Sequence, residues 1–374
     1  MSGLELGSTK DGNGDRQIMG TVVAVQANFY QVKLARNSLN NFESDFEYLL
    51  CTRRTRLKKI GQKVMVGDRV AIEEPDWQDG RGAISEVMPR STELKRPPVA
   101  NADRILLVFA LEEPTLDPWQ LSRFLVKAES TNLKLCLGLN KCDLITETQQ
   151  KQWQQRLQTW GYDPIFFSVK QKQGIARLLN NLQDRITIVA GPSGVGKSSL
   201  IDTLIPSVEL KIGQVSGKLQ KGRHTTRHVE LFELPGGGLL ADSPGFNQPD
   251  LDCYPADLPW YFPEAKARLR QGNCQFSNCL HRDEPNCVVR GNWERYEHYL
   301  DFLEKAIAIQ DIRAASPDRE SSVKLRVKRS GKHQYEPKLQ TKKYRRTSRR
   351  ERHQTLQEIG NQSVSELYQE LEDI

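Results

Sequence analysis

The sequence predicts an α/β domain with a phosphate-binding loop, preceded by an all-β barrel of the OB type and followed by a mainly helical, metal-binding module. Three observations support this prediction. Apolar and polar residues alternate in short β-like runs from 18 to 97, apolar runs stand between polar helical segments from 98 to 250, and three cysteines cluster within 251–312. A chain of 374 residues has room for these separate cores.

The two ends of the chain differ from its middle in composition. Residues 1–17 are rich in glycine and charge and lack the apolar stretch of a signal peptide, which predicts a disordered leader on a cytoplasmic protein. No run of about 18 apolar residues exists, so no membrane contact is expected. Between Lys324 and Arg352, thirteen Lys and Arg against two Glu give +11, which leaves −4 for the rest of a chain whose net charge is +7. We expect this basic tail, 313–374, to be disordered until it meets a partner.

The barrel is the first predicted folded element in chain order. Runs such as GTVVAVQANFYQVKL and DRVAIEE alternate apolar and polar side chains, with Gly and Asp between them, which is typical of short strands. Five strands closed into a barrel fit a segment of this length, and such barrels commonly bind oligonucleotides. The cations of RRTRLKK, Arg53 to Lys59, predict a phosphate-facing loop, and the alternative is a solvated charged turn.

The pattern between 98 and 250 is that of a parallel sheet. Polar helical segments such as ETQQKQWQQRLQTWG separate the apolar runs RILLVFAL, LKLCLGLN, PIFFSV, RITIVAG and GGLLAD. This alternation predicts strands that are buried beneath helices on both faces. Binding loops are therefore expected where these strands end.

One of these strands leads into GPSGVGKSS, which matches G-x-x-x-x-G-K-[ST] and precedes a helical segment. Its glycines allow backbone N–H groups to wrap phosphate oxygens, while Lys197 would neutralise the β and γ phosphates and Ser198 would ligate Mg²⁺. The alternative is a chance glycine-rich turn. The predicted phosphate-contacting residues are Gly191, Pro192, Ser193, Gly194, Val195, Gly196, Lys197, Ser198 and Ser199.

The strand LKLCLGLN ends in N-K-x-D, which predicts guanine as the base. The Asp143 carboxylate can accept hydrogen bonds from N1–H and the 2-amino group of guanine, whereas adenine offers no donor at either position. The alternative is a chance match, since isolated N-K-x-D strings are common. SVK, which closes the next apolar run, resembles a loop that backs the guanine. The predicted base-contacting residues are Asn140, Lys141, Cys142, Asp143, Ser168, Val169 and Lys170.

Two further elements resemble GTPase switches. Of the pair Thr225 and Thr226, we expect Thr226 to supply a Mg²⁺-ligating hydroxyl, and Asp242 and Gly245 form a D-x-x-G that would reach Mg²⁺ through water and meet the γ-phosphate. The five elements run in the order N-K-x-D, S-x-K, P-loop, Thr pair, D-x-x-G, a cyclic shift of the order that starts at the P-loop. A circularly permuted GTPase domain explains this order, because domain termini usually lie near one another and joining them preserves the sheet.

The cysteine–histidine module, 251–312, carries C-x4-C-x-H-x5-C. Three thiolates and an imidazole suit tetrahedral Zn²⁺ with no open position, so the predicted ligands of one structural zinc are Cys274, Cys279, His281 and Cys287. The alternatives are a coincidental reduced cluster and a redox pair. A core-facing stripe at helical spacing is predicted for Trp293, Tyr296, Leu300, Leu303 and Ile307.

The motifs NKCD, SVK, GPSGVGKSS, GRHTT and DSPG, between a β-rich barrel and a cysteine–histidine cluster, resemble those of the ribosome small-subunit-dependent GTPase A (RsgA) family. The resemblance implies a slow GTPase that binds the small (30S) ribosomal subunit and its rRNA, is stimulated by that subunit, and acts late in its maturation. We expect a monomer that uses GTP with Mg²⁺. The basic tail is not part of this resemblance.

The residue after D-x-x-G is Phe246, where many GTPases have a water-orienting Gln. We therefore expect slow basal turnover and predict that His224, beside the Thr pair, is the catalytic residue that aligns water. The alternative is an exposed histidine in a mobile loop. A second class of function is a nucleotide-gated regulatory or translation-factor module that acts on a protein partner, with hydrolysis incidental.

Overall fold

The computed structural model describes residues 18–35, 46–95, 97–205, 229–242, 253–315, 323–327 and 333–337. The chain divides into one compact unit that ends at Gln310 and a second that begins at Asp311. Among the described residues, no helix combines the length and the apolar composition that crossing a bilayer requires.

The first unit begins with a closed five-stranded barrel, as predicted. Its strand order is β1-β2-β3-β5-β4, with every pair antiparallel except β3 and β5. Alternate side chains such as Val22, Val32, Leu49 and Ile84 are buried inside it. The strands are β1 (Ile18–Gln26), β2 (Phe29–Leu34), β3 (Tyr48–Arg53), β4 (Arg69–Asp76) and β5 (Arg81–Val87).

The prediction of a loop at Arg53 to Lys59 is wrong about the secondary structure of this segment. Residues Thr55–Lys59 form a short helix, α1, because Leu57 turns into the barrel core and anchors one helical face there. The cations Arg56, Lys58 and Lys59 remain exposed on the other side. A charged surface therefore persists, although a helix carries most of it.

A short hairpin connects the barrel to a six-stranded sheet. It consists of β6 (Glu93–Lys95) and β7 (Pro98–Ala100), and Val99 bridges to Val66 of the barrel segment. The sheet order is β10-β9-β8-β11-β13-β12, parallel except for the edge strand β12. Its strands are β8 (Arg104–Ala110), β9 (Lys134–Asn140), β10 (Ile165–Phe166), β11 (Ile186–Ala190), β12 (Leu231–Glu233) and β13 (Leu239–Asp242).

Helices cover both faces of this sheet, which confirms the predicted α/β class. Along β8, Ile105, Leu107 and Phe109 join one apolar cluster, while Leu106 and Val108 join the other. One cluster contains α2 (Pro118–Glu129) and α3 (Glu147–Thr159), and the other contains α4 (Ile175–Leu182) and α5 (Lys197–Leu204). The central strands are therefore buried on both sides, and their carboxyl ends meet at one edge.

The cysteine–histidine module is mainly helical, with α6 (Pro263–Gln271), α7 (Tyr296–Ala315) and the cysteine-bearing loop between them. The predicted apolar stripe packs into the module core, although its centre is Tyr299, Phe302 and Leu303. Trp293 precedes the helix and joins the same core.

A fully buried arginine joins the module to the α/β domain. The Arg295 guanidinium makes two hydrogen bonds to the Glu264 carboxylate, one of them at 2.8 Å, and a third to the Ser122 hydroxyl of α2 at 3.4 Å. Its central carbon lies 4.9 Å from the ring centres of both Trp160 and Phe262. Breaking one partner of such a buried pair typically costs about 3–5 kcal/mol.

The second unit contains regular structure where the sequence predicts disorder. An antiparallel hairpin pairs β14 (Val323–Val327) with β15 (His333–Pro337). The segment VKLRV alternates apolar and basic residues, which is the period of a strand. The sequence prediction gave more weight to the high charge of the tail than to this short alternation.

Candidate functional site

The P-loop lies between the end of β11 and the start of α5, as predicted. Gly191 has φ +140°, and a Cβ there would lie 2.1 Å from the Val108 carbonyl oxygen. The Lys197 ammonium donates to the carbonyls of Gly191 at 2.9 Å and Pro192 at 2.6 Å, which hold it across the loop. A lysine held there is suited to neutralising phosphate charge.

Asn140, the last residue of β9, connects three loops and is 2% exposed. Its Nδ2 donates to the Val195 carbonyl in the P-loop at 2.9 Å. Its Oδ1 accepts from the backbone N–H of Lys141 at 2.8 Å and of Val169 at 3.3 Å. One side chain therefore holds the P-loop, N-K-x-D and SVK segments in a common arrangement.

A glycine is required beside this amide. Gly196 has φ +95°, and a Cβ there would lie 2.4 Å from Asn140 Nδ2. Any side chain at 196 would therefore both strain the backbone and displace the amide. The second glycine of the P-loop motif thus serves the contact between two loops as well as the approach of phosphate.

Asp143 supplies an unsatisfied acceptor. It lies in a 3-10 turn, Cys142–Leu144, and its Oδ1 is buried with no hydrogen-bond partner among the described residues. Leaving such a buried polar atom unpaired costs about 1–3 kcal/mol. A carboxylate can accept from the two adjacent donors of a guanine edge, whereas adenine offers no donor there, so an aspartate on this turn is suited to guanine.

The loop between β8 and α2 reaches the same place, a contact that sequence reasoning missed. Lys141 has φ +60°, and its ammonium donates to the Glu113 carbonyl. A Cβ on Gly194 would lie 3.8 Å from the Cδ of Pro114, so this loop also borders the P-loop tip. No motif in the sequence marks this role.

The remaining residues predicted to contact the base follow β9 and β10. Ser168 is buried and its backbone pairs with Gln173, while the Cys142 N–H donates to the Phe167 carbonyl at 3.2 Å. Burial raises the pKa of the Cys142 thiol, and the Asp143 charge adds to the effect, so the thiol stays protonated. Lys170 is exposed.

The switch residues are described only in part. Asp242 ends β13, which pairs in parallel with β11 so that Asp242 aligns with Val189, and this register lies at the carboxyl edge of the sheet beside the P-loop. His224, Thr225, Thr226 and Gly245 lie outside the described residues.

The predicted metal ligands meet in one cluster. The Sγ atoms of Cys274, Cys279 and Cys287 lie 3.5, 3.3 and 3.3 Å from His281 Nδ1, and all four ligand atoms lie within 4.8 Å of one another. A tetrahedron with Zn–S bonds of about 2.3 Å has edges of similar length, so the donor set fits zinc. Burial lowers the pKa of His281, which favours the neutral imidazole that ligates a metal.

Groups around these ligands fix the loop, and sequence reasoning missed them. The Tyr299 hydroxyl donates to the Leu280 carbonyl at 2.7 Å and the Tyr296 hydroxyl to the His281 carbonyl at 2.9 Å. The Glu284 carboxylate accepts from three backbone N–H groups, among them Leu280 at 2.7 Å. Although partial burial acts to raise the pKa of Glu284, these donors lower it to about 2.

Comparison with known proteins agrees with this geometry. The RsgA GTPase family model matches residues 87–252. The protein named small ribosomal subunit biogenesis GTPase RsgA from Trichormus variabilis is 60% identical over 358 residues, which cover 92% of this chain and 97% of the relative. The protein of the same name from Microcystis aeruginosa is 59% identical over 351 residues, which cover 94% and 96% of the two chains.

Two solved structures share the architecture. The crystal structure of YjeQ from Thermotoga maritima matches with a TM-score of 0.65 at 30% identity, covering 78% of this chain and 99% of that one. The structure of YloQ, described as a circularly permuted GTPase, matches with a TM-score of 0.64 at 28% identity, covering 83% and 100%. The chain therefore belongs to the RsgA GTPase family, with a permuted P-loop domain whose expected activity is GTP hydrolysis.

Proposed function

We propose that this chain binds the small ribosomal subunit, assists its late maturation in the cytoplasm, and hydrolyses GTP slowly until the subunit stimulates it. The observation that carries the nucleotide is the Asn140 amide, which joins the P-loop, the N-K-x-D segment and the SVK segment at one place. The partner is inferred from the relatives, whose name is small ribosomal subunit biogenesis GTPase.

The P-loop residues divide the work at the phosphates. Lys197 neutralises the β and γ phosphates, and Ser198, at the start of α5, ligates Mg²⁺ together with Thr226. Asp242 reaches the same ion through water. The register of Asp242 beside the strand that leads into the P-loop supports this assignment.

Hydrolysis needs a group that aligns the attacking water, and Phe246 cannot do so. His224 is the proposed catalytic residue, which aligns the attacking water when the chain is bound to the small subunit. The slow basal rate follows from the absence of a glutamine after D-x-x-G.

Charge on the barrel supports RNA as the partner. Arg56, Lys58 and Lys59 are exposed on α1, and sequence-independent RNA contact depends chiefly on such cations facing phosphates. One zinc held by the three cysteines and His281 would stabilise the cysteine–histidine module in place of a large core. We propose that the protein acts as a monomer.

The alternative is a nucleotide-gated module that acts on a protein partner, with hydrolysis incidental. Turnover of GTP measured alone and with small subunits, large subunits or bulk RNA separates the two. We expect small subunits alone to raise kcat about 10-fold or more, and the His224→Ala variant to bind GTP normally but lose most of that stimulation. Equal turnover in all four conditions would favour the alternative, and full stimulation of His224→Ala would remove His224 from catalysis.

A further inference from the structure

The barrel contacts the hairpin formed by β12 and β13 through a hydrogen bond and an ion pair. Lys33 of β2 and Tyr48 of β3 are cross-strand partners on the outer face of the barrel. The Tyr48 hydroxyl donates to the Glu233 carboxylate at 2.9 Å, and the Lys33 ammonium forms an ion pair with the same carboxylate. The Lys33 and Glu233 side chains are only 22% and 24% exposed, so solvent screens this contact less than an open surface pair.

We call the contact of Lys33 and Tyr48 with Glu233 the clamp. A backbone contact and an apolar contact lie beside it. Ala24 of β1 forms a backbone bridge with Glu230, next to β12. Val23 of the barrel belongs to the same buried cluster as Val229 and Leu231. The barrel therefore approaches β12 at both of its ends.

The hairpin leads directly to the phosphate edge of the nucleotide site. Leu231 pairs with Ala241, and Glu233 with Leu239. Asp242 follows Ala241 and aligns with Val189, two residues before Gly191 of the P-loop. A force on β12 would thus act first on β13, its hydrogen-bonded neighbour, and so on Asp242.

The closed barrel can transmit such a displacement. Every barrel strand is paired on both sides, so a force on its RNA-facing surface moves it as one body. The partly buried clamp at Glu233 converts that movement into a shift of the hairpin.

From these contacts we propose that Glu233 is a positioning residue for GTP hydrolysis. Through Lys33 and Tyr48 it lets the barrel, when bound to phosphate-rich RNA, set the position of the β12–β13 hairpin and so of Asp242. This inference rests on the proposed function, because the RNA that loads the barrel belongs there to the small ribosomal subunit.

The test removes the clamp from either side. One variant is Glu233→Ala, a second combines Lys33→Met with Tyr48→Phe, and a third combines all three substitutions. Glu294→Gln is the control, since this carboxylate also joins two parts of the chain, the cysteine–histidine module and the segment that bears Arg156 and Trp160. The full-length chains are compared in GTP turnover at saturating small subunits, in KM for GTP, and in subunit affinity.

We expect the subunit-stimulated kcat to fall about 5- to 10-fold in each clamp variant, with KM for GTP and subunit affinity within about 2-fold of wild type. Because both sides act through one contact, the triple variant should fall no further than Glu233→Ala. Glu294→Gln should keep the wild-type stimulation.

Two results would overturn the inference while leaving the proposed function intact. One is full stimulation of the clamp variants, and the other is weaker subunit binding with an unchanged kcat at saturation, which would make the clamp a mere anchor. A wild-type chain that small subunits fail to stimulate would overturn the proposed function and this inference together.

Discussion

Asn140 holds the nucleotide site together through a single side-chain amide. The bond from its Nδ2 to Val195 spans 55 positions of sequence, and its Oδ1 reaches Val169 from the other direction. These contacts join protein groups directly, so the Asn140 side chain fixes the three loops relative to one another. A site whose loops are held in this way has a smaller ordering cost on binding.

We propose that Asp143 selects the base, and its replacement gives a sharp prediction. Asp143→Asn keeps the size of the side chain but places a donor against the guanine N1–H and 2-amino group. We expect GTP affinity to fall about 100-fold or more, while xanthosine triphosphate, which has a carbonyl at position 2, gains affinity. Titration with fluorescent analogues of both nucleotides measures the two constants.

The neighbouring Cys142→Ser variant is the control, and it should retain the preference for GTP. Equal affinity of wild type and Asp143→Asn for GTP would show that another group reads the base.

At the scale of single residues, the motifs predicted which side chains lie in the site but not how they hold one another. N-K-x-D and the P-loop are local strings, so Asp143 and Lys197 could be identified from sequence. The contact of Gly196 with Asn140 and the bond of Lys141 to Glu113 depend on how the loops meet in three dimensions. No local pattern encodes them.

At the scale of elements, α2 and α7 meet across a layer of rings. His298 of α7 lies with its ring centre 3.9 Å from that of Trp119 and 6.3 Å from that of Trp160. Its Nδ1 is buried without a hydrogen-bond partner among the described residues. An imidazole in this position is accommodated as a neutral, largely apolar ring.

The charge state of this histidine links the interface to pH. Burial, assisted by nearby cations, lowers the pKa of His298 from 6.5 to about 4. Two acids oppose the shift but do not reverse it. The charged groups that act on this ring are Arg295, Glu294, Arg156 and Asp117.

We expect acid to weaken this interface between pH 6.5 and 4. Above pH 6.5 the imidazole is neutral whether the chain is folded or unfolded, and the group contributes no pH dependence. As pH falls, the unfolded chain takes up a proton that the folded chain resists, so the free energy of unfolding decreases. Urea unfolding at pH 7 and 5 should therefore show a larger loss for wild type than for His298→Phe.

Protonation of the metal ligands affects both chains equally, so the difference between them isolates His298. Identical losses in the two chains would mean that the ring is solvated or paired in solution. The comparison needs only the difference between the two losses of unfolding free energy.

Elements within a clear apolar run or a long polar segment could be predicted from sequence, and β12 could not. The buried strands β8, β9 and β11 follow their apolar runs closely, and the helix α3 lies within the polar segment ETQQKQWQQRLQTWG. β12 has only three residues, LFE, which is too short for any period to be recognised. Its antiparallel pairing at the sheet edge was therefore missed, and with it the contact to the barrel.

At the scale of the whole molecule, the three cysteines and His281 lie in a loop of low apolar content that is connected to the α/β domain through α7. Tyr296 and Tyr299 of α7 donate hydrogen bonds to carbonyls of this loop, and α7 shares an apolar cluster with Val126 of α2. Loss of the metal would thus loosen more than the loop itself. The stability of the first unit should depend on it.

We expect the purified chain to contain about one equivalent of zinc and to lose at least about 5 °C of Tm when a chelator removes it. Cys279→Ala should behave like the chelated wild type and respond no further to the chelator. Cys253→Ala, which removes a cysteine outside the cluster, should keep both the metal and the response. Well under one equivalent of zinc, or a Tm that ignores the chelator, would contradict a structural metal.

The order of the motifs predicted the permuted topology, because a cyclic shift of all five motifs leaves each loop at the same place on the sheet. The arrangement of the domains was harder to predict. Lys33 and Tyr48 lie 200 and 185 positions from Glu233, and charged residues on the outer face of a strand usually indicate solvent. Their contact becomes visible only when the barrel is placed against the hairpin.

The barrel also covers an edge strand of the sheet. An edge strand presents unpaired backbone groups that invite other chains, and proteins commonly shorten or cover such edges to prevent aggregation. Here one edge, β10, is only two residues long, and the other, β12, lies under β1 through the bridge from Ala24 to Glu230. A truncated chain without its barrel would expose β12 and gain a tendency to self-associate. Its weaker RNA binding would then have two causes, the loss of the barrel's binding surface and aggregation through the exposed strand edge.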